Sequence, residues 1–272
     1  MEPPEAAGGE ASVAARRWIR EGLREDGCLY LQSKDLSSAD VTAIVDELLR
    51  SMARSTSGAS PLASTSSRSG LRLTQLTLSY NGRVGDEGAR HIARLLRLTP
   101  SLTSLYVAWC GIGPNGVKVL TSAARSLTSL YLGFNGKVGN EGARHLADLI
   151  ATNTPLQHIG AGQCNIGDEG LMCIARALAN NSNLRTIFFS DATITPGGAR
   201  AAIEEIIAGS NSLLEGLSFG GMAPYLEVEA LWIELRNRKR EQQRKGTLAP
   251  ALALLRFTVR LTSGKNSKGR RA

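Results

Sequence analysis

The sequence predicts an α/β solenoid: a row of short parallel strands backed by a row of helices. Three observations lead there. First, one phrase recurs six times between Leu73 and Met222: Leu, two residues, Leu, one residue, a third apolar residue, two more, then Asn, Cys or a small substitute. Its copies sit at Leu73-Leu76-Leu78, Leu102-Leu105-Val107, Leu127-Leu130-Leu132, Leu156-Ile159-Ala161, Leu184-Ile187-Phe189 and Leu214-Leu217-Phe219. Second, the third apolar positions are spaced 29, 25, 29, 28 and 30 residues apart. Third, the stretches between carry apolar residues at helical spacing, as in GDEGARHIARLL from Gly85, GNEGARHLADLI from Gly139 and GDEGLMCIARAL from Gly167. A strand and a helix per period cannot bury their own apolar faces, so neighbouring units must stack and share one core.

Before the regular units, residues 1–52 read as a cap. ASVAARRWIREGLRE (11–25) favours helix, and Leu29-Tyr30-Leu31, Leu36 and Ile44–Leu48 follow a degenerate strand-turn-helix unit. A cap is expected because an unpaired solenoid end would expose core. Residues 53–72 belong to a Ser-rich interruption, and such density of Ser, Thr and Gly in 51–70 buries too little apolar surface to order itself. It is either a passive loop or a phosphorylated regulatory one flanked by Arg54 and Arg68. The six units occupy 73–222. Beyond them 223–245 reads as a terminal helix, with Leu226, Val228, Leu231, Trp232 and Leu235 mostly on one face, and 246–272 as a basic tail in which Leu255, Phe257, Val259 and Leu261 alternate like a strand.

Each unit's turn has a polar slot. The residue three after the third apolar position is Asn81, Cys110, Asn135, Cys164, Ala192 and Met222. An inward Asn there satisfies turn backbone groups that burial would otherwise leave unpaired, and Cys fills the slot as a small apolar group. Asp86, Asn140 and Asp168 are placed to N-cap the helices that follow. Ala89, Ile92 and Leu96 share one helix face, as do Ala143, Leu146 and Ile150. The first two helix copies lie 54 residues apart, two units rather than one, so a doublet underlies the single period.

Helical repeats of this length, alternating Asn and Cys, with helices opening on G-D/N-E-G, resemble the ribonuclease-inhibitor type of leucine-rich repeat. That class includes ribonuclease inhibitor, the repeat regions of NOD-like receptors and the Ran GTPase-activating proteins. The resemblance covers roughly residues 73–222. It implies a short horseshoe, with the parallel β-sheet on the concave face and α-helices on the convex face. Two roles follow: an intracellular protein-binding adaptor or sensor, which rests on outward-facing aromatic residues of the strands, and, as the alternative that the resemblance implies, a regulator of a small GTPase. For the second, Arg83 and Asn81 are the first residues to test, although those GTPase regulators carry an acidic tail and this tail is basic.

Charge divides the chain. Residues 236–272 hold 12 of the 32 Lys and Arg with one acid, Glu241, so the net +8 belongs to the tail and the remainder is slightly acidic. Arg236, Arg238, Lys239 and Arg240 form a basic cluster, read either as a nuclear-import or polyanion-binding site or as a solvated helix end. A chain that binds nucleic acid through this tail would do so with steep salt dependence.

The binding surface follows from strand alternation. Residues between inward positions face out, giving one column of Thr77, Tyr106, Tyr131, Gly160, Phe188 and Ser218. A second runs Ser79, Ala108, Gly133, Gly162, Ser190 and Gly220, and a third Tyr80, Trp109, Phe134, Gln163, Asp191 and Gly221. Six of the 13 aromatic residues fall here: Tyr80, Tyr106, Trp109, Tyr131, Phe134 and Phe188. Fully covered, they would hide on the order of 1,000 Å², comparable with one side of a standard interface. Either a protein partner covers them or they pack along the ladder and under the N-terminal loop. Asp191 in the third column is a further candidate contact, and Arg83 and Lys137 in the related loops YNGRVG and FNGKVG are either a paired basic contact on the loop rim or ordinary solvated turn residues.

Chemistry of its own is not expected. The chain holds no G-x-x-x-x-G-K-[ST] phosphate loop. His91 and His145 occupy the same helix position in sister units, which marks them as copied surface residues, and no cysteine pair has zinc spacing. No cofactor is expected. The start, MEPPEAAGGEASVAARR, has no apolar core of a secretory signal. Unpaired cysteines point to an intracellular protein, cytoplasmic or nuclear.

Overall fold

The computed structural model describes residues 5–57, 72–191, 193–209, 213–219, 226, 228–241 and 244. The chain forms two compact units, Met1–Glu229 and Ala230–Ala272. The first holds a seven-stranded parallel sheet in strict chain order: β1 Cys28–Tyr30, β2 Gln75–Thr77, β3 Ser104–Tyr106, β4 Ser129–Tyr131, β5 His158–Gly160, β6 Thr186–Phe188 and β7 Gly216–Ser218. The helices are α1 Glu5–Gly22, α2 Ser38–Ser57, α3 Gly85–Leu98, α4 Pro114–Ala123, α5 Gly139–Ala151, α6 Asp168–Asn180 and α7 Pro196–Ala208, each packed on its neighbours in sequence. The architecture is the α/β solenoid the sequence predicts.

Each strand is three residues long and buries its middle position. Leu29, Leu76, Leu105, Leu130, Ile159, Ile187 and Leu217 stand side by side in register as an inward row. Six of the seven are at most 1 % exposed and Leu217 is 5 % exposed. The helices close the core from the other side, with Ala89, Ile92 and Leu96 of α3 and Ala143, Leu146 and Ile150 of α5 buried as their spacing requires. The shortest period, 25 residues, yields the shortest helix after the cap, α4, with Pro114 at its first turn.

The cap is a full unit. β1 pairs in register with β2 across 47 residues of chain, Cys28 opposite Gln75 and Tyr30 opposite Thr77. Ser37 and Asp40 close the start of α2 with reciprocal bonds, the Ser37 amide donating to the Asp40 carboxylate and the Asp40 amide to the Ser37 hydroxyl. α2 runs to Ser57, past the expected boundary at residue 52, and along one of its faces buried Glu47 lies 2.7 Å from Arg50 and 3.9 Å from Arg54. The rest of the Ser-rich stretch (58–71), the proposed strand at 255–261, the tail 246–272, Ala192 and Met222 lie outside the described residues.

The capping expectation is corrected. Asp86, Asn140 and Asp168 do not cap their own helices, which begin one residue earlier at Gly85 and Gly139 or, for α6, at Asp168 itself. Sitting in the first turn, each side chain reaches the next unit instead. Asp86 accepts from the amide of Gly113, the N-cap of α4. Asn140 accepts from the amides of Gly167 and Gly170 at the start of α6. Asp168 accepts from the amide and hydroxyl of Thr195, the N-cap of α7. One residue therefore satisfies orphan helix N–H groups and ties two units together.

At the end of this unit, Glu229 accepts from the Ser218 hydroxyl and the Phe219 amide, both at 2.8 Å. In the second unit, residues 230–241 are helical, with the Arg236 guanidinium 5.9 Å from the Trp232 ring centre and Arg238 paired to Glu234. Lys239 and Arg240 follow on the same helix.

Candidate functional site

The polar slot explains the doublet. The Asn81 carbonyl oxygen accepts from the amides of Lys34 and Leu36 in the preceding unit, while its Nδ2 donates to the carbonyls of Leu31 and Leu78. Asn135 repeats this on Cys110, Ile112, Val107 and Leu132. One Asn thus serves two turns, so every second unit needs none. In those units Cys110 and Cys164 fill the slot and donate weakly to Leu78 and Leu132 carbonyls. Burial pushes both thiols up to about 12, so neither is a nucleophile at neutral pH. Asn81 is fully buried and its amide fully bonded, which removes it as a partner contact and corrects its place beside Arg83.

Asp191 departs from expectation in the same way. Counting three residues past Phe189 gives Ala192 as the slot, but Asp191 takes it: its Oδ1 accepts from the Asn165 amide at 2.7 Å, and the residue is 5 % exposed. Its other oxygen, Oδ2, is buried without a hydrogen-bond partner. Desolvation by burial raises its carboxyl to about 6, against the pull of the backbone N–H groups that bond it. It is a buried ladder carboxylate, not a rim contact.

Five of the six aromatic residues assemble into two stacks, and Phe188 stands apart from both. On the open face of the sheet, opposite the helices, Tyr106 and Tyr131 stack at 4.6 Å between ring centres with planes 7° apart. Tyr80, Trp109 and Phe134 form a second stack, at 6.4 Å and 4.8 Å. Packing along the ladder therefore occurs, yet it leaves the rings open: Tyr80 is 59 % exposed, Trp109 and Phe134 48 % and Phe188 45 %. Burial, and next the neighbouring Tyr131, raises the Tyr106 phenol above its usual range.

The second stack stands on strained backbone. Tyr80, Trp109 and Phe134 have φ of 64°, 55° and 62°, in the left-handed region. Ser33 and Gln163 hold the same turn position in flanking units. For a bulky residue this conformation is an outlier, costing on the order of 1 kcal/mol or more each. Gly or Asn would occupy it without that cost.

Between the stacks lies a floor of small residues. The ladder continues past the strands through Ser79, Ala108, Gly133 and Gly162, with the amides of Tyr80, Trp109 and Phe134 donating to the carbonyls of Ala108, Gly133 and Gly162. Tyr131 leans over Gly160, where an added Cβ would lie 2.6 Å from the ring. Strand β1 adds Tyr30 beside Thr77, so the first column holds a further phenol that the degenerate spelling of the cap had hidden. The first residues of these strands, Gln75, Ser104, Ser129 and Thr186, are half-buried and neutral like the aromatic columns beside them, and His158 is bonded to Thr186 at 2.7 Å. Of the basic rim residues, Arg83 lies 3.5 Å from Asp35 and Lys137 is exposed.

His91 and His145 share a helix position but face different acids, Glu87 at 3.6 Å and Asp148 at 3.9 Å. Among the described residues, no group of three or more His, Cys, Asp or Glu could hold a metal ion.

Four stretches, residues 73–93, 100–120, 123–147 and 152–175, match the family model described as Leucine Rich repeat. The fold is a leucine-rich repeat solenoid. The chain is 27 % identical over 226 residues to a ribonuclease inhibitor of Sus scrofa, covering 81 % of this chain and 42 % of that protein. It is 27 % identical over 161 residues to a protein phosphatase 1 regulatory subunit 37 homolog of Caenorhabditis briggsae, covering 56 % and 17 %. It is 32 % identical over 137 residues to the human NACHT, LRR and PYD domains-containing protein 5, covering 48 % and 11 %. The chain thus spans less than half the length of each of these relatives. A solved structure, the Rad7 and Elc1 complex in yeast, aligns at a TM-score of 0.41 with 16 % identity, over 54 % of this chain and 37 % of that one.

Proposed function

We propose that this leucine-rich repeat protein is a non-enzymatic adaptor or scaffold that grips a protein partner through the two aromatic stacks on its open sheet face. One observation carries the reading. Three large rings, Tyr80, Trp109 and Phe134, are half-exposed and sit on left-handed backbone where small polar residues cost less. Neither exposure nor backbone preference favours them, so their gain must come when something covers them. Aromatic residues are the usual anchors of interfaces, and the neutral floor between them removes the desolvation cost that charges would impose.

Two similar proteins support a contact role by name, one an inhibitor of a ribonuclease and one a regulatory subunit of a phosphatase. No described helix is long and apolar enough to cross a membrane. All four cysteines are free thiols, as is usual in reducing compartments. The test is affinity capture from cell lysate, comparing the native chain with Tyr106→Ala/Trp109→Ala/Tyr131→Ala after circular dichroism confirms that the variant folds. Partners lost with the variant support the reading; the same partners retained overturn it.

A further inference from the structure

Resting on the binding reading above, we propose that the occupant of this face is an uncharged, proline-rich segment in the polyproline II conformation, lying across the strands in the trough between the two aromatic stacks. Four features select it.

The first is width. Tyr106 and Trp109, one from each wall, are three residues apart on the same stretch of chain, so their backbones are separated by at most about 10 Å. An α-helix with its side chains is about 10–12 Å across and does not seat between the rings, whereas an extended segment does. The small floor of Ser79, Ala108, Gly133 and Gly162 lets that segment approach the backbone of the sheet.

The second is hydrogen-bond polarity. The hydroxyls of Tyr80, Tyr106 and Tyr131 and the indole N–H of Trp109 have no intramolecular hydrogen bond among the described residues, while the N–H groups beside the trough already donate to their neighbours' carbonyls. The trough therefore offers donors. A proline-rich segment presents carbonyl acceptors and no N–H of its own. A β-strand laid on the same face would bring N–H groups that only side-chain oxygens such as the phenols could receive, and strand addition requires a sheet edge rather than a face.

The third is repeat. A polyproline II helix advances about 9.3 Å per three-residue turn. Two strand spacings amount to about 9.6 Å. Successive turns of such a segment would therefore fall on every second strand of the sheet.

The fourth is charge. The trough and its ring walls carry no exposed Asp, Glu, Lys or Arg between β1 and β6, so a charged segment would lose hydration without compensation. Arg83 and Lys137 stand outside the trough on the loop rim.

The test titrates the full chain with acetylated, amidated decaproline, and with a Gly-Ser decapeptide as control, following the indole ¹H–¹⁵N signals of Trp18, Trp109 and Trp232. The expected result is a saturable shift confined to Trp109, absent with the Gly-Ser peptide, and little changed between low and high salt. Tyr106→Phe/Tyr131→Phe keeps both rings and should weaken the interaction roughly threefold to tenfold. Tyr80→Asn/Trp109→Asn/Phe134→Asn, which relieves the backbone, should abolish decaproline binding measured by calorimetry. Decaproline binding no better than the control, or binding unaffected by these variants, overturns the proposal. If decaproline fails while the alanine triple variant still loses its lysate partners, the face binds protein of another chemistry. If both fail, the face is not a binding site.

Discussion

The ring of Tyr131 occupies the space that a side chain at position 160 would need. A Cβ built on Gly160 falls 2.6 Å from Tyr131 Cδ1 and 3.3 Å from Cε1, closer than real side chains approach. Gly160 thus completes the aromatic site without contributing an atom to it. Gly160→Ala should swing the Tyr131 ring off its stack with Tyr106. Because the ring lies on the open face, unfolding stability should change by less than about 1 kcal/mol. Recovery of partners in lysate capture should fall roughly tenfold. Unchanged capture with a displaced ring would show that the tyrosine stack does not contribute to binding.

Asn135 holds two units with four hydrogen bonds at 2.6–3.0 Å and is 1 % exposed. Asn135→Ala leaves two amides and two carbonyls buried without their partner. The expected loss is about 3 kcal/mol or more, read as a lower urea midpoint. The Cys110→Ala change, which removes only a weak thiol donor, should cost less.

Asp191 gives a pH signature whose sign is opposite to that of an ion-paired carboxylate. Its folded-state value is raised to about 6 by burial, above the ~4 of an unfolded aspartate. The folded chain binds the extra proton between those values, so the contribution of this group to stability is greatest below about pH 4. It declines as pH rises through about 6 and stays low above. Asp191→Asn should remove that decline and stabilise the protein at pH 7 by on the order of 2 kcal/mol, since an amide there can bond as Asn81 and Asn135 do. Thermal melts of both proteins at pH 4 and pH 7 measure it. A variant that is less stable than the native chain at pH 7 contradicts the assignment.

Asp168 links α6 to α7 through the amide and hydroxyl of Thr195. Asp168→Ala should cost about 1 kcal/mol. The loss should appear first as faster amide hydrogen exchange at the start of α7, because Thr195, which caps that helix by accepting from the Gly198 amide, loses the carboxylate that holds it. Exchange that accelerates at the start of α6 instead would mean that Asp168 caps its own helix after all.

The parts of this molecule that repeat were legible in its sequence. Strand alternation places Tyr106 beside Tyr131 and Trp109 beside Phe134, because a parallel ladder with one inward residue per strand leaves no freedom in register. What depended on contacts between units was not legible. Asp86, Asn140 and Asp168 have the local spacing of N-caps, and only the packing of adjacent helices shows that they serve the next unit. Asp191 was misplaced by a fixed count: the left-handed turn residue of the preceding units is not repeated there, so the side chain one position earlier turns inward. Tyr30 escaped because its phrase is degenerate and a long interruption separates it from Thr77, its partner in the sheet. The strain beneath the exposed rings could not be read from residue identity, since it is a property of φ.

The most direct measurement combines stability and binding in one variant, Tyr80→Asn/Trp109→Asn/Phe134→Asn. Asn tolerates the left-handed backbone, and the relief of about 1 kcal/mol per site offsets the stacking lost, about 0.5–1.5 kcal/mol per ring pair. A variant with a native or higher melting temperature that no longer captures partners is the predicted result: rings kept for contact at the expense of the fold. A variant that melts well below the native protein yet retains its partners would contradict the account and make the stack a structural element.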